Sequence, residues 1–170
     1  MNQIEVAGDL RRTQEEYFPG RLYYIDVERP SGTRDTLMVF SKDPDIPEGR
    51  VLLTGRLKAR YLKGIGIPPH IALESVGQAP DGILSAAEAT GKIKKEPYTR
   101  TMDDERLLTV AVLETEDGPI PLMAWGNRGR KIRRCYEEGR TIKATGRMQS
   151  RKYTKKGMQR MTYELSKEDK

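Results

Sequence analysis

Six cations, Arg147, Arg151, Lys152, Lys155, Lys156 and Arg160, surround one tyrosine, Tyr153, in the segment TGRMQSRKYTKKGMQR at 145–160. A flat apolar ring among cations suits a polyanion whose units carry planar groups. Single-stranded nucleic acid is such a polymer: the cations neutralise phosphates, and the ring stacks on bases at roughly 1–3 kcal/mol each. A leaner version, TGRLKARYLKG at 54–64, places Arg56 and Arg60 near Tyr61. Further aromatic and cationic candidates are Trp125, which precedes a Gly, Arg130 and Lys131 just after it, and Phe40 in the first half of the chain.

Charge follows the same division. Residues 1–80 hold 11 Lys and Arg against 11 Asp and Glu, whereas residues 81–170 hold 20 against 14 and so carry the whole net charge of +6. From Arg128 to Arg160 there are 13 basic residues and two acids, Glu137 and Glu138, a density that points to a polyanionic partner. Other chemistries find little support. One cysteine (Cys135) and one histidine (His70) leave little for a zinc site or a Cys-His nucleophile, and both read as packing or surface residues. No P-loop or Gly-x-Ser-x-Gly elbow occurs, and the acidic triplet Asp103-Asp104-Glu105 reads as a turn. The expectation is a non-enzyme with no cofactor and no metal. The lone cysteine fits a reducing cytoplasm. No stretch approaches the roughly 20 apolar residues of a membrane span, and the N-terminus lacks signal-peptide features.

Positioning these groups requires a scaffold, and the sequence repeats one. IEVAGDLRR (4–12) matches AEATGKIKK (87–95), RLYYIDVERPSGTRDTLMVF (21–40) lies without a gap over RLLTVAVLETEDGPIPLMAW (106–125), and EGRVLLTGRLKARY (48–61) matches EGRTIKATGRMQSRKY (138–153). The shared order predicts two homologous domains, 1–80 and 81–170, joined by GQAPDGILS (77–85). In the second, Ala87, Ala89, Gly91 and Ile93 alternate with polar residues, the period of a half-buried strand. Strands are expected at 106–114, 120–125, about 142–149 and 157–166. Ile142, Ala144, Gly146 and Met148 should face inward and Lys143, Thr145, Arg147 and Gln149 outward. Met123 also reads as core. Between the third and fourth strands, Ile132, Cys135 and Tyr136 fall at helical spacing, with Asn127 as cap and Gly139 as stop. Arg128, Arg130 and Lys131 near its start and Glu137, Glu138 at its end oppose the helix dipole. The first repeat predicts strands at 3–12, 21–29, 34–40, 50–59 and about 69–76, with the proline-broken SKDPDIPEG as a loop in place of the helix. Gly55 and Gly146 would let a strand coil sharply around a small barrel. The fold class is all-β: two tandem OB-fold (five-stranded Greek-key) barrels, the second with a short helix between strands three and four.

The segment from PLMAWGNRGRKIRRCYEEG through TGRMQSRKYTKKGMQRMTYEL resembles bacterial single-stranded DNA-binding proteins, the SSB family, and GKIKKEPYTR (91–100) is similar to that family's opening GxLxxDPxxR. The resemblance spans nearly all of 86–166 and is fainter over 3–76. It implies base stacking on Trp125 and Tyr153, with Phe40 and Tyr61 in the matching places of the first repeat, while the family's other stacking positions fall near Leu113 and Pro119. It implies single-stranded DNA as partner in replication, recombination or repair, and a homodimer that presents four OB folds. The chain ends SKEDK, without the family's acidic Pro-Phe tail, so that mode of recruiting replication or recombination proteins is not expected. Two alternatives stay open: a primosomal accessory that mainly recruits a helicase, and an RNA-binding OB protein. The charge difference predicts that the second repeat supplies most of the affinity, while the first extends the track and helps build a dimer.

Overall fold

The computed structural model describes residues 2–17, 20–62 and 65–167; within these, the side chains of 14–17, 61–62, 65–66, 153–155, 158–164 and 167 are not described. Among the described residues, eleven strands and one helix follow in order: β1 (Gln3–Tyr17), β2 (Gly20–Glu28), β3 (Arg34–Ser41), β4 (Gly49–Leu62), β5 (Ile65–Gln78), β6 (Ser85–Ile93), β7 (Tyr98–Thr101), β8 (Leu107–Thr115), β9 (Gly118–Trp125), α1 (Asn127–Glu137), β10 (Thr141–Lys155) and β11 (Met158–Lys167). β1 pairs with both β2 and β4, β2 with β3, β3 in parallel with β5, and β5 with β4, so five strands close into a barrel with the OB-fold order. The same circuit of pairings recurs through β6, β8, β9, β11 and β10.

Closure requires the first strand of each circuit to serve two neighbours, and glycine makes the bend possible. A Cβ at Gly8 would stand 2.3 Å from the Asp26 carbonyl oxygen, and one at Gly91 would stand 2.0 Å from that of Glu114. Inside, period-two alternation buries Leu53, Leu57, Ile25 and Val39 in the first half and Ala89, Leu113, Leu122 and Met148 in the second. The open end is plugged differently in each half. Residues 42–48 form the expected loop, which folds inward, burying Ile46 and receiving the Tyr23 hydroxyl, which donates to the Pro44 carbonyl (2.9 Å). In the second half α1 buries Ile132, with Cys135 and Tyr136 half-buried beside it. The helix cap departs from expectation. Gly126, not Asn127, is the N-cap, because the chain leaves β9 at φ 58, a left-handed conformation that favours glycine.

The repeat's register also needs correction. Leu10 pairs with Ile25, as Ile93 does with Leu113, and Phe40 pairs with Ala72, as Met123 does with Ser166. The gap-free match over 21–40 and 106–125 is therefore not the structural one, and Phe40 is the counterpart of Met123, not of Trp125. Connection length decides this: 29–33 join β2 to β3, whereas 116–117 alone join β8 to β9.

The two halves share one sheet through β1 and β6. Ile4 pairs with Ala87, its own counterpart, flanked by Gln3 with Glu88 and Glu5 with Ala86, so a local two-fold axis passes through this pair. Its consequences are visible on either side. The Ala59 N–H donates to the Asp117 carbonyl (2.9 Å), and its counterpart Ser150 N–H donates to Asp35 Oδ1 (2.9 Å). Asn2, fully buried at the seam, donates to Leu57 O and Thr115 Oγ1 and accepts from the Thr90 amide. Gln149, expected outward, is buried because β10 runs on from its own barrel to pack against β3.

Candidate nucleic-acid interface

Along β8, Thr109, Ala111 and Leu113 fill the interior, so Leu108, Val110 and Val112 stand on the outer face, half-exposed. Directly paired residues in an antiparallel sheet point the same way. Arg100 pairs with Leu108 and Leu108 with Trp125, so these three form one row across β7, β8 and β9 on the outer face. Trp125 is thus a half-exposed surface residue and not core. Arg106 lies over its ring, 4.4 Å from the centroid, and Asp104 Oδ2 accepts from Arg106 Nε (2.5 Å). That hydrogen bond holds the Asp104 carboxyl below its ordinary pKa of 3.8. Residues 103–105 form a turn, as the acidic triplet suggested, with Glu105 at φ 66.

Immediately after Trp125, α1 presents Arg130 and Lys131 to solvent, Arg130 Nη1 donating to Asn127 Oδ1 (3.0 Å). No acid occupies the helix's first turn. Cations at this end are unfavourable for the helix dipole and favourable for an anionic partner.

The β10–β11 hairpin is paired from Gly146–Lys167 out to Lys155–Met158. Arg151, Lys152 and Lys156 are exposed on it, Lys156 in the turn at φ 52. The side chains of Tyr153, Lys155 and Arg160, and of Tyr61 on β4, lie outside the described residues. The hairpin's position is set by the other half of the molecule. Asp35, almost fully buried, accepts from Arg29 Nε and Nη2 (2.8 and 2.5 Å) and from the Ser150 amide, while the Thr36 amide donates to Ser150 Oγ (2.8 Å). The hydrogen bond to Asp35 raises the Arg29 pKa against the opposing effect of burial.

Arg56 and Arg147 are counterparts, each following the Gly that pairs with Ile4 or Ala87. Their environments differ. Arg56, expected on the nucleic-acid track, is held by Asp117 (2.6 Å) and Glu116 (3.8 Å) across the seam, which raises its pKa and makes it a tie between the halves. The Nε of both is buried with no hydrogen-bond partner among the described residues, so the difference lies in the ion pairs: no described acid pairs with Arg147. Phe40 is half-exposed and meets His70 edge-on (centroids 4.7 Å, 69° between planes) in a groove of about 1060 Å³ that also takes in Lys58, Arg60 and Ile67. Burial lowers the His70 pKa below 6.5, the Pro68 carbonyl opposes this, and Lys58 and Arg60 add to it.

Two aromatics on these faces escaped the sequence reading. Tyr24 pairs with Arg11 and Met38 on the outer face of β2, with the Arg11 guanidinium 4.9 Å above its ring. Tyr98, on the edge strand β7, is 64% exposed. Strand alternation could have placed Tyr24, but Tyr98 depended on a four-residue strand with no period of its own.

The fold that carries these side chains has solved counterparts. The fold is similar to that of a single-stranded DNA-binding protein. The wild-type protein of this kind from Thermus aquaticus superimposes with a TM-score of 0.68 at 14% identity, over 98% of this chain and 90% of that one. A deletion variant of the same protein gives 0.67 at 14%, over 98% and 91%. The likeness therefore runs through both halves. The sequence matches no family model and no curated protein.

Proposed function

We propose that the chain is a non-enzymatic protein that binds single-stranded DNA without sequence preference, through two tandem OB-fold domains (1–80 and 81–170). The observation that carries this reading is Trp125 standing outward beside Leu108, capped by Arg106 and followed directly by the exposed cations of α1, in a half that also carries the cationic β10–β11 hairpin. An aromatic platform in a cationic half-molecule supplies both requirements of a single strand: stacking and charge neutralisation. The Thermus aquaticus likeness supports the same partner. In this reading the second domain grips more strongly, since Arg147 is free of an acid partner among the described residues while Arg56 is engaged. The protein acts in the cytoplasm during replication, recombination or repair, and two copies assemble to present four domains.

Trp125 is the only tryptophan, so its fluorescence reports directly on the platform. Titration with oligo-dT should quench it, and log K should fall with log salt at a slope near −3, if about four phosphates are neutralised per domain. Unquenched fluorescence together with salt-independent behaviour refutes the proposal. Stronger competition by oligo-U than by oligo-dT would reassign the partner as RNA.

A further inference from the structure

The barrel circuit of the second half uses β6, β8, β9, β10 and β11, and leaves β7 out. β7 adds four residues to the free edge of β8 and nothing to barrel closure. Its packing supplies no obvious reason for it either, because Tyr98, Arg100 and Thr101 are exposed and only Thr99 is half-buried. What the strand does is widen the outer face on which Trp125 stands. Tyr98 pairs with Val110 and Val110 with Met123, while Arg100 pairs with Leu108 and Leu108 with Trp125. Tyr98 and Arg100 therefore project from the same face as Trp125, Arg100 in the same row as Trp125 and Tyr98 in the row two residues away.

The floor between the two rings is apolar: Leu108 and Val110, both half-exposed, with Met123 beside them. Crossing two strands and moving two residues along separates Trp125 from Tyr98 by roughly 12 Å. At a stacked rise of 3.4 Å that span is about three nucleotides. A cross-strand packing role for Tyr98 would bury most of its ring against Val110, yet 64% of the residue is open. The backbone beneath is fixed: Arg133 of α1 donates from Nη2 to the Pro97 carbonyl (2.9 Å) and to Thr99 Oγ1 (3.2 Å). An exposed ring on a braced strand, with Arg100 beside it, is arranged to receive a base and the phosphate next to it.

We infer that Tyr98 and Arg100 form a second stacking and phosphate subsite, which extends the Trp125 platform across β7 and sets the strand's path toward α1. This rests on the single-stranded nucleic-acid reading above, and the test separates the two. Oligo-dT titrations of the full chain, read by Trp125 quenching, are compared for wild type, Tyr98→Ala and Tyr98→Phe. The ring is the working part, so Tyr98→Ala should weaken binding roughly 5- to 150-fold and Tyr98→Phe less than about twofold. In parallel, wild type is photocrosslinked to an iodouracil-substituted oligonucleotide and digested with trypsin. The adduct should map to Glu96–Arg100, the tryptic peptide that carries Tyr98. Wild-type binding with Tyr98→Ala unchanged, or adducts that avoid this peptide, overturns the subsite and leaves the wider reading intact. Failure of wild type to bind at all overturns the reading on which it rests.

Discussion

Replacing Asp35 by Ala tests whether the two halves act as one body. Asp35 is 1% exposed and holds three donors, two on Arg29 and the amide of Ser150. Its loss leaves the Arg29 guanidinium, whose side chain is 19% exposed, without a counter-charge, and strands a backbone N–H. Breaking a buried pair on one side costs about 3–5 kcal/mol, and the partial exposure of Arg29 favours the lower end, about 3. For a chain of this size 1 kcal/mol moves Tm by about 2–4 °C, so calorimetry should show a fall of roughly 6–12 °C. Replacing both partners with apolar residues, Arg29→Met with Asp35→Leu, should recover roughly half of this, the residue being about 1–2 kcal/mol for the unpaired Ser150 amide. Hydrogen exchange supplies the local readout. The Ser150 amide should lose protection in Asp35→Ala while the β8–β9 ladder keeps its own. A Tm change below about 2 °C, or a double variant as unstable as the single one, would refute the idea that this cluster fixes the hairpin.

The counterparts Arg56 and Arg147 should separate stability from binding. Arg56→Ala should lower Tm with little change in oligo-dT affinity, whereas Arg147→Ala should weaken binding and reduce the salt slope by about 1, measured by melting and by titration at several salt concentrations. His70 makes a pH prediction. Its folded pKa lies below 6.5, so the unfolded chain binds more protons as pH falls through that value. Stability is then full above 6.5 and declines on acidification toward the folded pKa. Urea midpoints across pH 5–7.5 should show this slope, and His70→Phe should flatten it.

Part of the molecule was legible because its signals are local. Alternation in AEATGKIKK and in TIKATGRM placed β6 and β10, and Gly8 over Gly91 marked the same tight bend in both circuits. The prolines of SKDPDIPEG foretold a loop where the second half has a helix. The pairing of β2 with β3 was not legible in the same way. A 20-residue match without gaps looked convincing, yet turn length, not side-chain similarity, sets a hairpin's register, so Phe40 fell level with Met123. The helix cap was misplaced for a related reason. Asn127 has the side chain of a cap, but the angle at which the chain leaves β9 needs the conformation that Gly126 provides.

The candidate site divides along the same line. Composition and spacing alone determined that a basic, aromatic-bearing hairpin exists twice, and that the second copy carries the charge. Which cations remain available was decided in three dimensions. Arg56 and Arg147 sit in matching sequence, but the two-fold arrangement brings Asp117 to the first and no described acid to the second. The outward stance of Trp125 and the alignment of Tyr98 with it likewise depend on which strands lie side by side. A sequence specifies its own alternation, but an ion pair between residues 56 and 117, or a shared face between 98 and 125, exists only once the sheet has closed.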